Sequence, residues 1–208
     1  MTEYEKMVSG QIYDCSDSDL LSVQIQCYEK LDEFNTTKLN DFSKRSQLLR
    51  DMFAEVGDDC CIMPPLYSNW GGRHVHFGKG VYANFGLTLV DDAHIYVGDY
   101  TMFGPNVTVA TASHPVLPIL REKQYEYNLP IHIGRCCWIG AGSVILPGVS
   151  IGDNTVIGAG SVVTKDIPAD VVAVGNPCRV MREINDNDKE FYHKQMKIPE
   201  EIRQKFHL

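Results

Sequence analysis

The chain of 208 residues carries a formal net charge of -8 at neutral pH, a balance that excludes an extended phosphate-binding surface and argues against a nucleic-acid partner. No run of about 18 apolar residues is present, and the first residues lack the basic-then-apolar order of a signal peptide. No membrane partner is therefore expected, and the cytoplasm is the expected location. The seven cysteines are odd in number, include the adjacent pairs Cys60-Cys61 and Cys136-Cys137, and show no C-x-x-C spacing. Structural disulfides and a zinc cluster are not expected, and Cys136 reads as a small apolar packing residue.

From the N-terminus, Thr2 followed by Glu5 has the form of a capping box, and Gly10 can close the short helix that follows. Ser16, Asp17, Ser18 and Asp19 are N-cap types, after which Leu20, Leu21, Cys27, Tyr28, Leu31 and Phe34 keep roughly helical spacing up to Asn35. A third helix is expected from Ser43 to Val56, with Leu48, Leu49, Met52 and Phe53 on one face and Gly57 at its end. Residues 1–57 thus form a helical segment.

From Cys60 the apolar pattern turns extended, with Pro64-Pro65 at the junction. Phe77, Ala83, Leu89, Val97, Phe103 and Val109 recur at six-residue intervals, apart from a slip of two between Leu89 and Val97. Ile133, Ile139, Ile145, Ile151, Ile157 and Val163 then repeat every six residues, and glycine follows four of them. A period of six fits no helical face, and the glycines would weaken a helix. Ordinary hairpins would alternate with period two instead. Three six-residue units make one triangular coil of a parallel β-helix, with the aliphatic residues inward and glycines at the corners. Coils stacked at about 4.8 Å bury a continuous apolar column.

Residues 58–184 carry this pattern, except for an inserted loop at 112–130. There Pro115, Pro118, Arg121, Glu122, Lys123, Gln124 and Glu126 cannot fill an inward column, and the length suggests function. Tyr125, Tyr127 and Leu129 would be exposed on a lone subunit and are expected to lie under a neighbouring one. Val171 to Val180 should finish the last coil, with Asn176-Pro177 turning the chain away. The extension 185–208 has helical character around Lys189 to Met196, and Pro199 can sit at N1 of a last helix.

Four features together carry a resemblance: the hexapeptide repeats; Thr111-Ala112-Ser113-His114-Pro115; the run from Ile157 to Pro168; and Gly175-Asn176-Pro177-Cys178-Arg179-Val180. With the start Met7-Val8-Ser9-Gly10-Gln11-Ile12-Tyr13-Asp14, the chain resembles the maltose and galactoside O-acetyltransferases from about Glu3 to Ile184. The resemblance implies a mainly β protein: a left-handed parallel β-helix with an N-terminal helical segment and a C-terminal helical tail. It also implies a homotrimer with active sites between subunits. Such enzymes move an acetyl group from acetyl-CoA directly to a hydroxyl of a maltose-, glucose- or galactoside-like sugar in a ternary complex, and require no metal.

Acetyl transfer to an alcohol needs a base, and imidazole suits neutral pH. The resemblance assigns that role to His114 and an oxyanion-stabilising backbone N–H to Ala141, where the galactoside enzymes carry serine. It places Asp14, Tyr82, Asn84 and Asp92 at the acceptor, with Tyr125 as a possible wall. By composition alone, Asn84 reads as a turn residue and Asp91-Asp92 as a solvated pair. For acetyl-CoA the matching positions are Trp138, Ala141, Ala159, Thr164, Lys165, Arg179 and Arg182, local basic groups on an acidic protein. Gln24 and Gln26 stand where the family carries arginines, which puts contacts there in doubt.

The same fold supports another chemistry, that of the γ-type carbonic anhydrases, with zinc held on histidines between subunits. His76 and His94 are 18 residues apart, one coil, although unrelated surface histidines are the favoured reading of that pair. Amine or xenobiotic acceptors are a further alternative within the acetyltransferases, and a non-catalytic trimeric scaffold lies outside them.

Overall fold

A computed structural model describes all 208 residues. Six short helices frame the β-structure: α1 (Glu3–Val8), α2 (Ser18–Asn35), α3 (Phe42–Met52), α4 (Pro118–Glu122), α5 (Asn187–Glu190) and α6 (Glu200–Phe206). At α1 the expected capping box is present, with the Thr2 hydroxyl accepting from the Glu5 amide and the Glu5 carboxylate accepting from the Thr2 amide. Asp17 caps α2 by accepting from the amides of Asp19 and Leu20 at 3.1 Å. Helix α3 ends at Met52, before the expected Val56, because Glu55–Val56 pairs in parallel with the strand Val75–Phe77 as the first rung of the β-helix.

Three parallel sheets form a prism. The first face stacks Glu55–Val56, Val75–Phe77, Ile95–Val97, Ile131–Ile133 and Ser150–Ile151. The second stacks Cys61–Ile62, Tyr82–Ala83, Met102–Phe103, Trp138–Ile139, Val156–Ile157 and Val171–Val174, and the third stacks Tyr67–Ser68, Thr88–Val90, Thr108–Ala110, Val144–Ile145 and Val162–Val163. The six-residue column points inward: Ile139, Ile145, Ile157 and Val163 are fully buried. Cys137, Ser143, Val149, Thr155 and Ser161 form a second buried column four residues after each of Ile133, Ile139, Ile145, Ile151 and Ile157. Their small side chains fit the corners, and their hydroxyls are satisfied by carbonyls, as in Ser143 to Gly158 at 3.1 Å and Thr155 to Pro168 at 2.7 Å. Each large aliphatic side chain removed from water contributes about 1.5–3 kcal/mol.

Several local expectations are corrected. Cys136 is exposed at a corner with φ of 53°, and Cys137 is the cysteine that packs inward. Asn176-Pro177 does not lead the chain away: Arg179–Glu183 folds back antiparallel on Val171–Val174 and closes the open end. Most of the stretch from Lys189 to Met196 is a hairpin, Phe191–His193 with Met196–Lys197, and Pro199 is the N-cap of α6. The inserted loop is ordered by its own strand, Tyr125–Asn128, paired with Ala112–Ser113 on one side and with Tyr13–Asp14 on the other. Tyr125 and Tyr127 are consequently half-buried, and the exposed apolar residues of this arm are Val116, Leu117, Ile119 and Leu129.

Candidate active site

Going round one coil, the chain passes from first face to second to third and back. The edge between third and first faces is longer in the early coils, which accounts for the slip between Leu89 and Val97. Asp91 and Asp92 occupy that extra length and are buried, not a solvated pair. Asp91 accepts from the Ser68 hydroxyl at 2.6 Å and from the amides of Trp70 and Gly72 at 2.8 and 3.0 Å. Asp92 accepts from Trp70 Nε1 and Asn69 Nδ2, both at 3.0 Å. Burial raises the pKa of Asp92, against the opposing pull of these donors.

One coil further on, the same edge is where the inserted arm leaves, carrying His114. Its Nδ1 lies 3.2 Å from the Tyr125 carbonyl oxygen. A carbonyl only accepts, so in the neutral ring Nδ1 carries the hydrogen and Nε2 presents a free lone pair. His114 borders a cleft of about 470 Å³ together with Asp92, Asn69, Trp70, Gln24 and Leu21. Tyr13, Cys15 and Glu126 line it too. The Cys15 thiol is pushed up to about 11 by burial and by Glu126 beside it, so it is a weak nucleophile.

The expected acceptor set is therefore only partly assembled in one chain. His114 and Asp92 come together. Asp14 does not line the cleft: its carboxylate accepts from the amide and hydroxyl of Ser16 at 2.9 and 2.6 Å, while its neighbours Tyr13 and Cys15 face the cleft. Tyr125 contributes its carbonyl to His114, and strand alternation turns Glu126 inward in its place. Gln24 lines the cleft, whereas Gln26 borders a separate recess with Arg73. Sequence reasoning missed Glu126, Cys15 and Trp70, and no pattern in the sequence marks them.

The remaining residues lie elsewhere on the prism. Tyr82 and Trp138 project from the second face in one register column through Met102. Asn84, Ala141 and Ala159 sit at the edge between second and third faces. Here Gly140 is packed so tightly that a Cβ would come 2.5 Å from the Ala159 nitrogen. Gly140 donates to Ile157 and Gly142 to Pro105, while the amide of Ala141 between them donates to nothing in the chain. On another edge the corner amides of Lys79 and Arg135 are taken by Asp99 and Asp153 at 2.9 Å. Ala141, an exposed residue, thus keeps an amide with no acceptor in the chain. Asn84 makes the turn contact its composition suggests, its side-chain oxygen accepting from Phe85 at 2.8 Å. Thr164 and Lys165 are exposed where the third face returns to the first, and Arg179 lies exposed on the closing strand. Arg182 is held by Asp188 through two contacts of 2.7 Å.

His76 and His94 are not unrelated: Nε2 of one and Nδ1 of the other are 2.9 Å apart. No group of three or more metal-ligating side chains is arranged to hold an ion.

A prism of hexapeptide coils with a helical cap is the architecture of the hexapeptide-repeat transferases. Residues 130–165 match the bacterial transferase hexapeptide (six repeats) family, and residues 6–57 match the maltose acetyltransferase hexapeptide capping motif. The galactoside O-acetyltransferase of Lactococcus lactis is 49% identical over 95% of this chain and 96% of its own length, and that of Escherichia coli 44% over 95% and 97%. A galactoside acetyltransferase in complex with coenzyme A superposes with a TM-score of 0.91 at 44% identity, covering 96% of this chain and 99% of its own. A maltose O-acetyltransferase from Clostridium difficile gives 0.87 at 43% identity, covering 89% and 98%. The chain belongs to the maltose and galactoside O-acetyltransferase family. No helix is long and apolar enough to cross a membrane.

Proposed function

We propose that the protein moves the acetyl group of acetyl-CoA to a hydroxyl of a sugar, with His114 as general base. The observation that carries this is the His114 imidazole, its Nδ1 held by the Tyr125 carbonyl at 3.2 Å and its Nε2 without a partner, at a cleft that Asp92 also lines. A hydroxyl hydrogen-bonded to Nε2 gives up its proton as its oxygen attacks the thioester carbon. The Ala141 amide, without an internal acceptor, is suited to the oxyanion of the tetrahedral intermediate. When the C–S bond breaks, the proton on His114 passes to the departing thiolate. No acyl-enzyme is needed, and the weak acidity of the Cys15 thiol speaks against that residue as an acyl carrier.

The active form is read as a homotrimer. His114 and Asp92 occupy one edge of the prism, Ala141 and Ala159 another, and neither set lies in the other's cleft. Bringing base and oxyanion donor to one thioester therefore calls for two subunits, one edge of each. The exposed Val116, Leu117 and Ile119 on the arm suit burial against a neighbour. Trp138 and Ala159 would flank the donor's pantetheine arm, and Thr164, Lys165 and Arg179 its phosphates. Arg182 would join them only by leaving Asp188.

The test is chromatographic release of CoA from acetyl-CoA across sugars, glycosides and amines, with intact mass measured after acetyl-CoA alone. Sugar-dependent release with an unmodified protein mass is expected. Failure to bind acetyl-CoA, or a stable acyl adduct on the protein, would overturn the mechanism.

A further inference from the structure

The acceptor cleft has a charge pattern of its own. On the strand Tyr125–Asn128, burial alternates so that Glu126 and Asn128 face inward. Glu126 stands directly opposite Tyr13 in the antiparallel register and is only 9% exposed. Tyr13 and Cys15 flank it in the cleft, and the one basic group there is the His114 imidazole, which pulls its pKa down against the larger upward push of burial. Asp92, 6% exposed, lines the same cleft. No lysine or arginine lines it, and neither carboxyl takes part in a salt bridge. Arg73, on the far side of Trp70, borders a different recess.

Two buried carboxyl groups with no permanent cation, beside only the imidazole of His114, are a costly arrangement for a protein to keep for stability alone. Burial raises the pKa of both, with Asp91 adding to the rise at Asp92 and Asp92 adding to the rise at Glu126. Asp92 already has donors from Trp70 and Asn69 and retains lone pairs for an acceptor's hydroxyls. Glu126, beyond Tyr13 and Cys15, has no strong donor assigned to it.

Building on the acetyltransferase reading above, we propose that Glu126 is a specificity-determining residue for the acceptor. With Asp92 it makes the cleft beside His114 select neutral and amine-bearing sugars and reject anionic ones. A sugar hydroxyl or ammonium group donates to the Glu126 carboxylate. A carboxylate or phosphate on the sugar would face two buried acids with no lysine or arginine to offset them. An amine on the acceptor is thus a binding handle, and the acetyl group still goes to the hydroxyl that reaches His114.

The experiment compares three acceptors on one ring framework, methyl glucoside, methyl 2-amino-2-deoxyglucoside and methyl glucuronide, by kcat/KM at saturating acetyl-CoA. It is run for the wild type, Glu126→Gln and Glu126→Leu, the second variant guarding against a failure of the first to fold. For the wild type, the glucuronide should be poorer than the glucoside by about tenfold or more, and the amino sugar at least equal to it. In the variants the glucuronide-to-glucoside ratio should rise about tenfold and the amino-sugar-to-glucoside ratio should fall, with KM for acetyl-CoA unchanged. A wild type that uses the glucuronide as well as the glucoside, or folded variants with unaltered ratios, would overturn the proposal while leaving the transferase reading intact. Silence of the wild type toward all three and toward the wider panel would overturn the transferase reading itself, and this inference with it.

Discussion

The hydroxyl of Tyr4 donates to Nε2 of His74 across a distance of 2.9 Å, joining α1 to the edge of the β-helix that carries Asp91 and Asp92. Nδ1 of the same ring lies 2.6 Å from the Asp91 carbonyl, so it must carry the hydrogen. The neutral imidazole is thereby held in one tautomer, inside the cluster of Met7, Tyr13, Leu20 and Trp70 that seats the helical cap.

This contact sets a pH dependence of stability. Burial drives the pKa of His74 down from 6.5 to about 4, with His94, Arg73 and His76 adding repulsion. The folded pKa of a base lies below its unfolded value, so the unfolded chain binds more protons between them. Stability is therefore fully present above about 6.5 and is lost as pH falls toward about 4, by up to ~1.4 kcal/mol per pH unit. Denaturant titrations at pH 7.5 and pH 5, at one protein concentration, should show the wild type losing about 1–2 kcal/mol more than His74→Gln. Equal losses would remove His74 from this role.

The proposed sharing of the active site between subunits has a direct genetic consequence. His114→Ala and Ala159→Trp should each be inactive, the first for want of a base and the second because the indole fills the donor groove. Co-expressed, they should regain activity at about a quarter of the sites by random assortment in a trimer. Mixed trimers with no activity would mean that both halves belong to one chain.

The corner that presents Ala141 depends on Gly140. An added methyl group there would meet the Ala159 nitrogen at 2.5 Å and the Ile157 carbonyl at 2.7 Å, both backbone atoms. Gly140→Ala should cost about 1–3 kcal/mol and raise KM for acetyl-CoA, because the coils must part. Gly142→Asn, where nothing lies within 4 Å but φ is +67°, should cost about 1 kcal/mol or less. Thermal or chemical denaturation of the two variants separates packing from backbone strain; a reversed order would contradict the tight-corner geometry.

The aliphatic column from Ile133 to Val163 was legible because each residue is large, apolar and repeated at a period no helix shares. The second column was not, since Cys137, Ser143, Thr155 and Ser161 carry no hydrophobic signal and their burial depends on carbonyls from the next coil. The slip between Leu89 and Val97 was visible as spacing, but the burial of Asp91 and Asp92 rests on donors from residues 68–72, roughly a coil earlier. His114 could be reached through its motif. Glu126 could not, because a strand of four residues inside a polar, proline-bearing loop leaves too few positions to reveal alternation. Asp14 came from the resemblance alone, whereas the pairing of Tyr13 with Glu126 turns Tyr13 and Cys15 toward the cleft.

The most direct test of the central claim is steady-state acetyl transfer from acetyl-CoA to a methyl galactoside or glucoside by the wild type and His114→Ala, with acetyl-CoA affinity measured in parallel. In the variant kcat should fall by about 10²–10⁴ with acetyl-CoA binding retained. A variant that turns over as fast as the wild type would show that His114 is not the base.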